Sequence, residues 1–478
     1  MKVKFILPIV IFLNLEYLIW ASRLINGPLG YVLYASEWAL FSLTVLFCIC
    51  HWERRATKET LHKPEGRVDV FVTCYNEPIS MVERTLAAAV AIDYDQKDVY
   101  LLDDGPRPEL HTLAKKMGAQ YLSRGQNTHA KAGNLNAALA KTHSPFILVL
   151  DADQIPKQNI IKRMLGHFQD HSSIAVVTTR QRFDVHEKDF NQDVMFYEHM
   201  QVGKHTDDCP TSTGSGVIYL RSAIEKIGGF STWNLVEDLT TTYELNKVGY
   251  TSVYINEPLT IGLAPQDIQN IYKQRGTWAV DGLRLLFKKT PFLQRKLRVS
   301  QRFHYLEITL HYLIAALVVP TLLIIPIISL LTNIPAVLAG TEYLLYRAPS
   351  LISIIGFYWL VNNGHQSNKY WAGLWPVYLK AIFLALKPKK MPYLVTQKVE
   401  EQRRRIFLVL PQLFLLIAGL FAIPLSVYLY GLSNSTVNNS IWVILNVWWM
   451  SSIVCRGFTK KHRHQVTIHT VVKGTSHA

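Results

Sequence analysis

The placement of long apolar segments constrains this chain more than any other feature. Four segments, roughly 30–51, 304–331, 343–361 and 406–430, have the length and composition of bilayer-crossing helices. Two more, roughly 5–20 and 441–456, read as shorter spans interrupted by polar residues such as Glu16 and Asn446. Between 52 and 303 no apolar stretch is long enough to cross. About 250 residues therefore form one water-soluble domain set between spans. A hydrophobic content of 49% with a mean hydropathy of +0.12 agrees: the chain is too apolar for an ordinary soluble protein.

The formal net charge is +15, and its placement matters more than its size. Lys and Arg cluster at Lys2 and Lys4, at Arg54-Arg55, across Lys288–Arg302, at Lys387–Lys390, at Arg403–Arg405 and at Lys460–Arg463. The short loops near 332–342 and 431–440 carry none. If six segments span, the positive-inside rule puts both termini and the central domain in the cytoplasm of a multi-pass membrane protein. The basic excess is then a topology signal, and the partner it implies is the lipid bilayer rather than nucleic acid. The first segment could instead be a signal peptide, although no small-x-small cleavage site follows. Cys48, Cys50, Cys74, Cys209 and Cys455 show no disulfide or zinc spacing and fit a reduced compartment. The histidines of the tail, His462, His464, His469 and His477, read as a solvated segment.

Within the central domain, apolar runs end in polar signatures. Val68–Val72 leads into Thr73-Cys74-Tyr75-Asn76-Glu77, Val99–Leu102 into Asp103-Asp104-Gly105, and Phe146–Leu150 into Asp151-Ala152-Asp153. Helical patterns separate them, which predicts strand–helix alternation and a parallel sheet covered on both faces. Ligands bind beyond the carboxyl ends of such strands, where all three signatures fall. Asp151 and Asp153 can point the same way, because side chains repeat every two residues in extended chain. Two hard oxygen ligands suit Mg²⁺ or Mn²⁺ carrying a diphosphate; the alternative is a solvated turn at a strand end.

The ordered set Thr-Cys-Tyr-Asn-Glu, Asp-Asp-Gly, His129-Ala-Lys-Ala-Gly-Asn134, Asp-Ala-Asp, Glu237-Asp238 and Gln274-Arg275-Gly276-Thr277-Trp278 resembles the membrane-embedded processive family-two glycosyltransferases of the cellulose synthase type. The resemblance implies an α/β GT-A domain, a Rossmann-like mixed sheet, over 52–303, inserted in a helical transmembrane bundle. Two helices over 1–51 would precede it. The remaining helices would lie in 304–456, with an interfacial and gating-loop segment at 366–405, followed by a tail over 457–478.

By the same resemblance, Thr73, Tyr75, Glu77 and Asp104 would hold the nucleoside of a UDP-sugar. Lys131, Gln274 and Arg275 would meet the diphosphate or donor sugar, Asp153 the metal, and Asp151 would assist at the donor. Asp238, with Glu237 beside it among the catalytic carboxylates, would be the general base. Trp278 and Thr213 would lie on the acceptor side, the growing polysaccharide being the acceptor. Chemistry agrees with these types: a divalent ion with Lys131 and Arg275 could offset charge on the leaving phosphate, while a carboxylate takes the acceptor's proton. Each has a plainer alternative. Asp238 could cap a helix over Leu239–Lys247, Lys131 could be an exposed lysine before a helix, Trp278 an interface anchor, and Cys74 a small packed residue.

The family usually has Arg immediately before the Trp, where this chain has Thr277, and often Cys where it has Thr213. Both departures fall on the acceptor side. Residues 366–388 read as one interfacial amphipathic helix. Tyr393–Lys398 resembles the gating loop, which would bring Thr396 over the nucleotide. No cyclic-di-GMP-sensing module is expected after the last span. The expectation is thus an inverting, metal-dependent hexosyltransferase that makes and translocates a β-glycan, UDP-glucose being the leading donor, with an accessory export protein as a candidate partner. The rivals are a non-processive enzyme that adds one sugar to a lipid, and a catalytically silent channel.

Overall fold

The structure is a computed structural model of the 478-residue chain. It describes residues 2–52, 54–265, 267–338, 340, 342–362, 367–387 and 405–458. Two helices open the chain, α1 (Lys2–Ala21) and α2 (Gly27–His51). Strand–helix alternation then begins as the sequence predicts. It runs β1 (Val68–Cys74), α3 (Ile79–Val90), β2 (Lys97–Asp103), α4 (Pro108–Lys116), β3 (Gln120–Ser123), α5 (Ala130–Leu139) and β4 (Phe146–Asp151). The alternation loosens after β4. Strand β5 (Gln154–Pro156), α6 (Ile160–Met164), β6 (Ile174–Phe183), α7 (Gln201–Thr206), β7 (Val217–Leu220), α8 (Arg221–Lys226), α9 (Glu237–Lys247) and β8 (Thr251–Gly262) complete the sheet.

The sheet has eight strands in the order β3-β2-β1-β4-β7-β6-β8-β5. The first four are parallel, and β7 turns antiparallel to both β4 and β6. Burial on both faces explains why β1 is an unbroken buried run. Its side chains alternate: Val68, Val70 and Val72 join a core with Leu86, Leu110 and Met164, whereas Phe71 joins Leu135, Tyr219 and Leu245 on the other face. Register fixes the site. Thr73 pairs with Asp151 across β1 and β4, and Cys74 with Asp103 across β1 and β2, so three polar signatures end at one edge.

Helix α10 (Ile268–Lys288) leads back toward the apolar helices. These are α11 (Val299–Thr332), α12 (Glu342–Val361), α13 (Ser367–Gly373), α14 (Trp375–Leu386), α15 (Leu410–Tyr430) and α16 (Asn434–Phe458). One core, built from Ile271, Ala279, Leu283, Ala316, Tyr378, Ala381 and Ile453 among others, joins α10 to this bundle. Five helical segments among the described residues are long and apolar enough to cross a membrane: α2, α11, α12, Ile406–Tyr430 and α16. The apolar part of α1, Phe5–Ala21, is shorter.

The single interfacial helix expected over 366–388 is a correction. Helix α13 ends at Gly373, and α14 starts afresh with Pro376 in its first turn, where a missing N–H costs nothing. Trp375, Tyr378, Ala381 and Ala385 of α14 are buried in the core shared with α10 and α11.

Candidate active site

Lys131 organises the donor end of the sheet. It lies inside the first turn of α5 rather than just before the helix. Its Nζ meets Asp151 Oδ1 at 2.6 Å and Glu237 Oε1 at 3.1 Å, and donates to the Gly214 carbonyl at 2.6 Å. Burial alone would pull the ammonium's pKa down, but Asp151 and Glu237 outweigh it and hold it well above the ordinary value. Burial pushes the Asp151 carboxyl up; Lys131 pulls it back, and Asp153 repels it. Asp151 Oδ1 is thus engaged by an ammonium, and Asp153 faces the same cavity from the turn between β4 and β5. Glu77 joins them. Its Oε2 accepts the Tyr75 N–H at 2.7 Å, and burial raises its carboxyl first, with Asp153 and Asp151 adding repulsion.

At the neighbouring strand ends, Thr73 Oγ1 donates to Asp151 Oδ1 and to the Leu150 carbonyl, both at 3.3 Å. The two adjacent aspartates at the end of β2, Asp103 in the strand and Asp104 just past it, divide their work. Asp103 is fully buried and bound by Arg107 and Tyr121, which makes it a structural anchor. Asp104 faces the cavity and is gripped through both oxygens by Arg124. The same guanidinium donates to the carbonyls of Thr128 and Ala130. It thereby holds a turn in which His129 and Ala130 take φ of 63° and 45°, a conformation that non-glycine residues rarely adopt. Burial pushes the Cys74 thiol up, consistent with a packed residue and not with a nucleophile.

The side of the cavity expected to take the acceptor is built from α9 and α10. Asp238 is the second residue of α9, and its Oδ1 accepts the N–H of its neighbour Leu239 at 2.5 Å; the cap position is Val236, so Asp238 lies inside the first turn and does not cap the helix. Burial, then Glu237, raise its carboxyl; the Leu239 N–H and Lys131 lower it, and the result is about 7. A Cβ on Gly214, at φ +80°, would come within 2.9 Å of Asp238 Oδ2. Only glycine lets segment 211–216 close so tightly on this carboxylate. Asp281 of α10 sets the loop before α9: its two oxygens accept the Leu235 and Val236 N–H groups at 3.0 and 2.7 Å. Six residues earlier on α10, Arg275 forms a fork with Asp193 at 2.8 and 3.1 Å and lies 4.7 Å from the Trp278 ring centre. Thr277 bonds back to the Lys273 carbonyl at 2.9 Å, and Thr213 bonds Thr178 at 2.9 Å.

These groups line one cavity of about 930 Å³. From Thr73, Asp153 and Lys131 it passes Asp238, Thr277 and Trp278 and continues between α2, α11, α12 and α16, past Thr44, Tyr358, Trp371, Tyr378, Trp442 and Trp449.

Residues 69–228 match the family model for glycosyl transferase family 2. Across 96% of its length the chain is 28% identical to a UDP-forming cellulose synthase catalytic subunit of Komagataeibacter sucrofermentans, covering 67% of that protein. It is 34% identical over 51% of its length to the corresponding subunit of Xanthomonas axonopodis pv. citri, covering 35% of it. The chain carries a family-2 glycosyltransferase domain over residues 69–228. It is related to the bacterial cellulose synthases, although it spans only about a third of the length of several curated relatives. In fold, this glycosyltransferase is similar to a mannosyltransferase of Pyrobaculum calidifontis solved with GDP-Man and Mn²⁺, at a TM-score of 0.56 and 18% identity, covering 76% of this chain and all of that one.

Within the glycosyltransferase, Thr73, Tyr75, Glu77, Asp104, Lys131, Asp151, Asp153, Thr213, Glu237, Asp238, Gln274, Arg275 and Trp278 all line the shared cavity. Arg275 differs from expectation in one respect, for its guanidinium is committed to Asp193. Thr396 and the segment Tyr393–Lys398 lie outside the described residues, as do the tail histidines. Reading by motif missed Arg124, Asp193 and Asp281. Each contacts a motif residue or the loop bearing one from 20 to 82 positions away. The faint signals were an acid in the middle of a helix, Asp281, and an arginine just past β3, Arg124.

Proposed function

We propose that the chain is an inverting, metal-dependent hexosyltransferase. It polymerises a β-linked glycan from a UDP-sugar, UDP-glucose foremost, and passes the product through its own membrane helices, with the sheet domain in the cytoplasm. The observation that carries this reading is the continuous cavity, acidic and lysine-lined at the sheet and aromatic between the helices. Sugar faces pack on aromatic rings, so a path lined by Trp278, Trp371, Tyr378, Trp442 and Trp449 suits a chain of sugars. The UDP-forming names of the relatives support the donor.

The donor set fits Mg²⁺ or Mn²⁺. Asp151, Asp153 and Glu77 offer hard oxygens whose mutual repulsion a divalent ion would relieve. Because Lys131 engages Asp151, Asp153 is the residue that would hold the ion. The bound ion supplies charge neutralisation on the departing diphosphate. In the reaction the acceptor hydroxyl gives its proton to an Asp238 oxygen as its own oxygen bonds the anomeric carbon. The bond to the UDP oxygen breaks on the opposite face, and Lys131 stabilises the charge that collects there. Asp104, fixed by Arg124, orients the nucleoside with Thr73 and Tyr75. Trp278 supports the terminal acceptor sugar. Arg275, paired with Asp193, keeps that ring in place and meets the donor phosphate only if the fork opens.

The test is to incubate the purified chain in lipid discs with UDP-glucose and Mg²⁺ or Mn²⁺. UDP release with polymer longer than a few sugars is expected. Single-sugar products on a lipid would overturn the processive reading, and no turnover with any of a panel of UDP-sugars would overturn the transferase reading itself.

A further inference from the structure

Where α2 ends and α11 begins, with α7 packed against them, the structure buries a group of polar side chains separate from the donor carboxylates. Cys50, His304 and Glu307 each offer a donor atom, and those atoms lie within 4.8 Å of one another. The three residues are 5%, 1% and 2% exposed. His304 Nε2 is held by Asp207 at 2.8 Å, while its Nδ1 is buried and has no hydrogen-bond partner among the described residues. His51 approaches both Glu307 oxygens through Nε2, at 2.7 and 2.9 Å. Its own Nδ1 is likewise buried without a partner among the described residues. Lys204, fully buried, interacts electrostatically with Glu307 and Cys50.

Core packing alone does not account for this group. A buried polar atom without a partner is costly, and two ring nitrogens are in that position. A carboxylate on one imidazole nitrogen orients the ring and leaves the other as a metal donor. Sulfur, imidazole and carboxylate together suit Zn²⁺ and disfavour Mg²⁺, which takes oxygen ligands. Zn²⁺ would balance a Cys50 thiolate and the Glu307 carboxylate.

We propose that Cys50, His304 and Glu307 bind one zinc ion, with Asp207 and His51 orienting His304 and Glu307 from behind. Binding releases the Cys50 thiol proton to solvent, and water fills the fourth position. The ion ties the end of α2 to the start of α11, the two points where the chain passes between membrane helices and sheet. Because Glu307 also lines the long cavity, the tie stiffens that wall. This site stands or falls independently of the proposed reaction.

The test strips the full-length chain with a chelator, reloads it with Zn²⁺, and measures bound metal by mass spectrometry together with the melting temperature. One zinc per chain and a raised melting temperature are expected. Cys50→Ser and His304→Gln should each lose the metal, Asp207→Asn should weaken it about 10–100-fold, and Cys455→Ser, on an exposed thiol, should leave it unchanged. Cobalt in the unaltered chain gives a readout that needs no variant to fold: a thiolate-to-cobalt charge-transfer band should appear. Absence of that band with no stoichiometric zinc overturns the site. So does zinc that survives Cys50→Ser but is lost with Asp153→Asn.

Discussion

Burial, and then Glu237 beside it, make Asp238 a weak acid. Burial and Glu237 lift its carboxyl to about 7, close to working pH, which suits a group that must take a proton and release it. The base must be ionised, so kcat/KM should fall about tenfold per pH unit below about 7; a flat profile over that range removes the assignment. Asp238→Asn should abolish transfer and leave UDP affinity within about twofold, measured by calorimetry. Stability runs the other way. A carboxyl raised by folding binds more protons in the native state, so it favours the fold at low pH and costs stability as pH rises through about 7. The asparagine variant should therefore gain melting temperature at about pH 8 relative to about pH 5. This residue was legible because its motif names it. Its raised pKa was not, since that depends on Glu237 beside it and on burial that only folding reveals.

Helices α5, α9 and α10 act as holders for these side chains, and here the sequence was least readable. The strand ends could be anticipated from apolar runs meeting acids, because period-two geometry is local. The clamps join distant segments: Arg124 to Asp104 across the edge of the sheet, Asp281 to the loop before α9, Arg275 to Asp193. Arg124→Met leaves Asp104 buried without its cation, which should cost on the order of 3 kcal/mol of stability and weaken UDP binding at least tenfold in a titration. Asp281→Asn keeps one acceptor and turns an amide toward the other N–H. The expected result is a roughly tenfold loss of kcat with UDP affinity unchanged; equal losses in both would mean a general folding defect instead. The break between α13 and α14 was readable in principle, since Pro376 marks it, but the aromatic pattern on both sides hid it.

At the scale of the molecule, apolar lengths fixed where helices would lie, and each of the six segments is helical. Continuity of the cavity could not be read, because it arises from how α2, α11, α12 and α16 pack. Filling it should separate making from moving: Ile355→Trp, on the cavity wall in α12, is expected to shorten the product at least twofold on a sizing column while the initial rate of UDP release stays near normal. Equal loss of both would place the product's path elsewhere. Helix α10 carries Arg275, Thr277, Trp278 and Asp281, and its other side is packed on α14 and α11. One rod thus sets the gap between Trp278 and Asp238, the proposed acceptor platform and base, and the rod rests on the apolar helices. On the proposed reading, lipid thickness enters the reaction: a bilayer that tilts α11 is expected to shift Trp278 relative to Asp238, so the transfer rate should vary with lipid thickness more than UDP affinity does.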